Sequence, residues 1–159
     1  MNKSALRDQI LARLHIELAT QTAAAQSARD EAISEESKPE NQYDMHSQEA
    51  AYLAEGQARL AAEIHANIAF YQTLPLASFE PGAPIAIGAL VEIEARHRKT
   101  WYLIGPRAGG LEVPFNGQTF LVLTPQSPLG RELLGKREGE TVYIATRTAR
   151  EAHRIMTVR

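Results

Sequence analysis

The 159-residue sequence contains no cysteine, and this absence excludes several kinds of chemistry. Disulfide bonds, thiolate zinc sites and catalytic thiols all require that side chain. Long apolar runs are also absent, since no stretch approaches the roughly 20 residues of a membrane-spanning helix. The opening segment MNKSALRDQILARLHIELA has charges among its apolar positions, unlike the apolar stretch of a secretory signal. We therefore expect a cytoplasmic protein that is not associated with a membrane.

Glycine and proline are almost absent from the first 73 residues, where only Pro39 and Gly56 occur. Because these two residue types most often interrupt helices, their scarcity favours long helices on both sides of Pro39. We predict helices over residues 4–33 and 40–73. Each would be about 45 Å long at roughly 1.5 Å per residue.

Each predicted helix carries one narrow apolar stripe. In the first helix the stripe consists of Leu6, Ile10, Leu14 and Leu18. In the second helix we assign it to Tyr52, Leu53, Leu60, Ile64, Ile68 and Tyr71. A narrow stripe on two long helices that are joined by a short turn is typical of an antiparallel two-helix coiled coil.

The turn between these helices is acidic and reads EESKPENQYD over residues 35–44. Ser37 and Glu40 have the spacing of a capping box that opens a helix, with Pro39 in its first turn. The remaining acids could then be solvated charges on an exposed turn at 35–39. Alternatively, Glu36 and Glu40 could hold a divalent cation that a partner brings. Magnesium suits such a site because it keeps several waters and needs only one or two protein carboxylates.

The composition changes after Pro75. Residues 76–84 are rich in proline and are predicted to be a linker, and the hydrophobic period of residues 85–159 changes to two, which is typical of strands. One short helix is predicted at SPLGRELLGK, where Ser127 would be the N-cap, Pro128 the first helical residue and Gly135 the stop. Its three leucines, Leu129, Leu133 and Leu134, are interpreted as core. The predicted fold class is α+β, with a coiled coil over 1–75 and a small, mostly antiparallel sheet domain over 85–159.

The two parts of the chain have opposite charge. Residues 1–75 contain eleven acidic and six basic side chains, and the remainder contains eight acidic and eleven basic ones, giving formal charges of −5 and +3. This balance does not indicate a strongly basic nucleic-acid-binding domain. The five histidines lack the spacing of metal ligands. The segment GPRAGG at 105–110 is interpreted as a turn, and RHRK at 96–99 as the end of a hairpin.

Two segments resemble the GreA/GreB transcript-cleavage factors of bacterial RNA polymerase. ENQYD at 40–44, followed by Glu55-Gly56, is similar to the family's tip and second helix. TPQSPLGRELLGKREGETV is similar to its C-terminal signature, in which Ser-Pro precedes a short helix, Gly-Lys and a Gly-acidic turn. The second match is the more specific one. The resemblance covers nearly the full length of the chain.

This resemblance implies an N-terminal coiled coil joined to an FKBP-like domain. In such factors the globular domain binds the rim of the polymerase secondary channel and the coiled coil enters it. The acids of the tip help to bind the second magnesium ion of the polymerase and to orient a water that hydrolyses backtracked RNA. The polymerase-binding residues implied here are Ser127, Pro128, Arg131 and Lys136.

The tip acids implied by the same resemblance are Glu36 and Glu40, which would share the magnesium ion of the polymerase only in the complex. The protein would then have no cofactor of its own, would contact the RNA 3′ end only indirectly, and would have no stable nucleic-acid binding by itself. At one position the tip departs from the family pattern, because Ser37 stands where the family has Asp. Glu36 could replace that acid.

Two other functions compete with cleavage stimulation. The tip could have lost cleavage, which would leave a regulator that occludes the channel or chelates its metal. An enzyme such as a prolyl isomerase is a third interpretation, because the globular domain resembles the FKBP fold. A fold does not carry a function, however, and no aromatic pocket follows from the sequence positions of Trp101, Tyr102, Phe115 and Phe120.

Overall fold

A computed structural model of the chain describes residues 2–33, 46–147 and 149–159. Its two long helices are α1 (Lys3–Ile33) and α2 (His46–Thr73), which confirms two long helices in the first half. The predicted helical residues 40–45 and the turn at 35–39 lie outside the described residues. Within the described parts of the chain, no helix is long and apolar enough to cross a membrane.

The chain divides into two compact units. One comprises Ile10–Thr73, and the other comprises Met1–Gln9 together with Leu74–Arg159. The first few residues of α1 are therefore grouped with the second half of the chain. Among the described residues of the unit Ile10–Thr73, the buried apolar ones are Ile10, Leu14, Ala28, Ile64, Ile68 and Tyr71.

The apolar stripe of α2 follows a different line from the predicted one. Tyr52, Leu53 and Leu60 are 74%, 53% and 47% exposed, so their assignment to the buried stripe is wrong. A line of half-buried and buried positions runs through α2 in alternating steps of three and four residues: Ala54, Gln57, Ala61, Ile64, Ile68 and Tyr71. That spacing is a heptad repeat. Gly56, Asn67 and Phe70, which lie beside this line, are half-buried or buried as well. Leu53 and Leu60 each precede a stripe position by one residue, which rotates them about 100° around the helix axis.

The second unit contains one six-stranded sheet. Its strands are β1 (Leu90–Ala95), β2 (Arg98–Ile104), β3 (Glu112–Phe115), β4 (Gln118–Leu123), β5 (Thr141–Ala145) and β6 (Arg150–Val158). The order across the sheet is β3-β4-β2-β1-β6-β5. All neighbouring pairs are antiparallel except β2 and β4, which pair in parallel. The predicted α+β class, with a mostly antiparallel sheet, is confirmed.

One face of this sheet forms the main core with the short helix α3 (Pro128–Leu133). We call it the α3 face; its buried members include Val91, Ile93, Ile104, Leu123, Val142 and Ile155, and Leu133 of α3 joins them. The predicted hairpin end is confirmed between β1 and β2, where Arg96 and His97 form a two-residue turn with φ of 51° and 61°. GPRAGG at 105–110 lies in the loop between β2 and β3, as predicted.

Candidate functional site

The start of α3 is fixed by Ser127, as the sequence predicts. Its backbone is extended, at φ −70° and ψ 152°, and its Oγ accepts a hydrogen bond of 3.0 Å from the amide of Gly130. The same hydroxyl donates to the carbonyl oxygen of Thr124 at 2.8 Å. Pro128 occupies the first helical turn, where its missing amide hydrogen costs nothing. The Ser127 side chain is therefore engaged in building the helix start.

The end of α3 also follows the sequence prediction. The C-cap is Leu134, and Gly135 follows it with φ of 78°, a conformation that favours glycine. Two of the three leucines are core as predicted, because Leu133 is fully buried and Leu129 packs against the α3 face. For Leu134 the core assignment is wrong, since its side chain is 36% exposed.

The four candidate contact residues lie on α3 and its two ends, and we call them the α3 surface: Ser127, Pro128, Arg131 and Lys136. Pro128 and Arg131 are exposed. Lys136 lies 3.6 Å from Glu140, so its charge is partly compensated. Among the described residues, Arg131 has no ion-pair or hydrogen-bond partner for its guanidinium. Arg131 is therefore the most available cation of this surface.

The loop after α3 is held by its own charged residues. The main-chain amide of Arg137 donates to Oε2 of Glu140 at 2.6 Å. The Nη1 atom of the Arg137 side chain donates to the carbonyl oxygen of Gly82. Glu138 accepts a 3.2 Å hydrogen bond from the amide of Val158. These contacts fix the path of the chain beyond Lys136 and thereby the place of that lysine beside α3.

Glu36 and Glu40 lie outside the described residues, as does Ser37. The positions of the tip acids, and their proposed sharing of a magnesium ion, therefore stay predictions. Among the described residues, no group of three or more histidine, aspartate or glutamate side chains could hold a metal ion.

No sequence pattern indicates the role of Lys3. Its ammonium group donates to the carbonyl oxygens of Ala77 at 2.7 Å and Gly88 at 3.1 Å, and lies 4.5 Å from the centre of the Phe79 ring. Burial lowers the pKa of Lys3 to about 8. These contacts attach the first turn of α1 to the segment that precedes β1. Because the partners lie 74 and 85 residues away in sequence, no local pattern could have identified them.

Three aromatic residues of the sheet pack against one another. The register of β2 and β4 pairs Trp101 with Phe120, and their ring centres are 5.8 Å apart. Phe115 adds a third ring, 6.2 Å from Phe120. Trp101 and Phe120 are buried, and Tyr102 points to the opposite face of the sheet because successive strand residues alternate. Trp101 and Phe120 are therefore packed core, and Phe115 is half-buried beside them.

Residues 80–159 match the family model described as "Transcription elongation factor, GreA/GreB, C-term". No curated protein sequence matches the chain.

Similar solved structures include two Thermus proteins and one from Nitrosomonas europaea. GreA factor homolog 1 of Thermus thermophilus is 22% identical, with 94% of each chain covered and a TM-score of 0.38. Gfh1 of Thermus aquaticus is 23% identical, with 92% of each covered and a TM-score of 0.40. The GreA/GreB elongation factor of Nitrosomonas europaea is 15% identical over 70% of this chain and 91% of that one, with a TM-score of 0.37.

Proposed function

Since the chain belongs to the GreA/GreB family of transcription elongation factors, we propose that it binds bacterial RNA polymerase at the secondary channel and stimulates cleavage of backtracked RNA. The observation that carries this proposal is the family match over residues 80–159, which includes the whole sheet and α3. On this proposal the protein is an accessory factor. The polymerase performs the hydrolysis, and the factor contributes side chains and no metal of its own.

Docking is assigned to the α3 surface. Arg131 is exposed and has no partner among the described residues, and the C-cap residue Leu134, three positions later, also has an exposed side chain. A cation beside an apolar side chain fits a partner surface that offers a carboxylate beside an apolar residue. Ser127 and Pro128 support this surface by fixing the start of the helix.

Cleavage is assigned to the acidic tip. Glu36 and Glu40 would each lend carboxylate oxygens to the magnesium ion of the polymerase, which supplies the rest of the shell. The charge of the ion would offset the mutual repulsion of the acids. The formal charge of −5 on residues 1–75 supports delivery of these acids to a site that already holds a cation.

The proposal is tested by incubating a stalled, backtracked polymerase complex with and without this protein and following the length of the RNA. Faster appearance of shortened RNA is the expected result. Slower nucleotide addition without cleavage would assign the protein to the channel regulators that lack cleavage. Unchanged cleavage and unchanged nucleotide addition would contradict both functions.

A further inference from the structure

The sheet has a cleft of about 310 Å³ on its α3 face, at the end next to the turn between β1 and β2. Strands β1, β2 and β6 form it, and its lining residues include Ile93, Ala95, Arg96, Arg98, Glu151 and His153. None of these residues belongs to the α3 surface, which consists of Ser127, Pro128, Arg131 and Lys136 on the helix and its ends. The cleft is therefore a separate feature of the same domain.

The cleft exists because a small side chain lies between two long ones. Ala95 pairs with Arg98 across the β1–β2 ladder, and Glu94 pairs with Arg154 on the other side, so His153 comes next to Ala95 along β6. Neighbouring strands are about 4.8 Å apart, which spaces the backbones of Arg98 and His153 by roughly 10 Å. The methyl group of Ala95 leaves the space between them open, with Ile93 as an apolar floor.

The basic groups around the cleft differ in whether a carboxylate already neutralises them. Arg96 is paired with Glu151 at 2.7 Å, and this pair closes the outer end of the cleft. Within residues 2–33, 46–147 and 149–159, neither Arg98 nor His153 has an ion-pair or hydrogen-bond partner. The cleft thus offers an unpaired guanidinium and an imidazole above an apolar floor.

We propose that this cleft binds an acidic segment of a partner protein, with one carboxylate received by Arg98 and His153. The planar guanidinium can donate two parallel hydrogen bonds to a carboxylate, and the imidazole can donate a third from the other wall. The aliphatic part of the acidic residue then packs against Ala95, which is half-buried.

The charge distribution favours a carboxylate on a protein over the backbone of a nucleic acid. A groove that follows a phosphate backbone needs a continuous row of cations, together with aromatic faces on which bases stack. Here Glu151 neutralises Arg96 at the mouth, which interrupts any such row. A single carboxylate on an aliphatic side chain matches the two groups that remain unpaired, Arg98 and His153.

The test is a chemical-shift titration of the ¹⁵N-labelled full chain with acetyl-Gly-Leu-Glu-Leu-Gly-amide. Saturable shifts are expected for the amides of Ala95, Arg98 and His153. The matched peptide with Gln in place of Glu should bind about tenfold more weakly, because it loses the charge-assisted hydrogen bonds. A short oligouridine serves as the nucleic-acid probe and should leave these amides unshifted.

Three variants make the result specific to the cleft. Arg98→Gln should weaken binding of the Glu peptide about tenfold. Ala95→Leu should abolish binding by filling the space between Arg98 and His153. Lys99→Gln is the matched control, since Lys99 is the adjacent exposed cation on the opposite sheet face, and it should bind as the original chain does. The proposal is overturned if the Glu peptide gives no saturable shift, if the Gln peptide or oligouridine binds as well, or if Arg98→Gln binds unchanged. Removing the exposed Arg98 side chain should leave the dispersed amide spectrum intact, so that variant alone decides the matter if Ala95→Leu does not fold.

Discussion

Gly130 lies so close to Thr124 that a Cβ added there would stand 2.0 Å from the carbonyl oxygen and 2.8 Å from Oγ of Ser127. The backbone oxygen cannot move aside without breaking the cap of α3. We therefore expect Gly130→Ala to destabilise the protein by about 1–3 kcal/mol, the range for overpacked sites. Urea unfolding measures this change.

The control is Gly56→Ala, because nothing lies within 4 Å of a Cβ at that helical position. Alanine there should stabilise the helix by roughly 0.5–1 kcal/mol. The two substitutions are expected to change the free energy of unfolding in opposite directions. A stable Gly130→Ala variant would contradict the close approach of α3 to Thr124.

Tyr71 gives the molecule a specific sensitivity to alkaline pH. Its side chain is fully buried, and burial raises the pKa of its phenol above the ordinary value of 10.0. Above pH 10 the unfolded chain loses this proton while the folded protein keeps it, so stability falls as the pH rises. Between pH 9 and pH 11 the protein should lose about 1.4 kcal/mol more than its Tyr71→Phe variant.

Denaturant unfolding of both proteins at the two pH values measures this difference. Lys3 contributes with the opposite sign, since its lowered pKa makes stability rise with pH above about 8. That contribution is common to both proteins and cancels in the comparison. Parallel pH profiles for the two proteins would show that the Tyr71 phenol ionises equally well in the folded state.

Residues with local partners were the ones that the sequence could predict. Ser127 and Pro128 act within a few positions of themselves, and the same is true of Gly135. The contacts of Lys3 and the cleft beside Ala95 bring together residues from distant parts of the chain. A sequence pattern holds no signal for such contacts until the strand pairing is known.

Among the elements, α2 shows how a stripe can be assigned one residue out of place. Its large leucines suggested the buried line, but the heptad positions of the middle of the helix are Ala54, Gln57 and Ala61. We expect Ile64→Ala to cost about 2–4 kcal/mol, because Ile64 is only 6% exposed. The matched change Leu60→Ala, at a side chain that is 47% exposed, should stay within about 0.5 kcal/mol.

Thermal or urea unfolding of the Leu60→Ala and Ile64→Ala variants distinguishes the stripe predicted from the sequence from the one in the structure. Equal losses of stability for Leu60→Ala and Ile64→Ala would support the stripe predicted from the sequence. The exposed leucine would then be buried in solution, contrary to the structure.

The short helix α3 is the element on which polymerase binding is predicted to depend. Reversing the charge of its free cation, in Arg131→Glu, should weaken binding about tenfold, and Lys136→Glu should act less strongly because Glu140 already compensates Lys136. Lys99→Glu reverses an exposed charge on the opposite sheet face and is the control. Co-sedimentation or fluorescence anisotropy with core polymerase gives the affinities.

Neither variant should change the unfolding midpoint appreciably, since Arg131 is exposed and Lys136 lies at the helix end. Unaltered affinity in both would remove the α3 surface from the docking account. An equal loss in the Lys99 control would indicate a general charge effect instead.

The arrangement of the strands could be predicted only in part. Alternating apolar residues indicated strands, and the hairpin turn at 96–97 fell where the sequence placed it. The parallel pairing of β2 with β4 could not be inferred, because β3 lies between them in sequence and outside them in the sheet. Local propensity does not choose between neighbours that are equally apolar.

At the scale of the whole molecule, chemistry and binding are assigned to different units. Membership of the GreA/GreB family rests on the second half of the chain, and the proposed cleavage rests on the acidic segment 35–44. The fold class followed from periodicity alone, since a change of period from helical to strand-like divides the chain near Pro75. The activity does not follow in the same way, because Ser37 stands where the resemblance to the family implies an Asp.

The most direct measurement is RNA cleavage by a backtracked polymerase with tip variants. Glu36→Ala and Glu40→Gln should each slow cleavage about tenfold or more while polymerase affinity stays the same, because docking is assigned to the α3 surface. Glutamine at 40 can still complete a capping box with Ser37 but is a far poorer magnesium ligand, so that variant separates charge from helix stability. Glu63→Gln, an exposed acid within α2, is the control and should cleave normally. Full cleavage by both tip variants would contradict the assignment of catalysis to this tip.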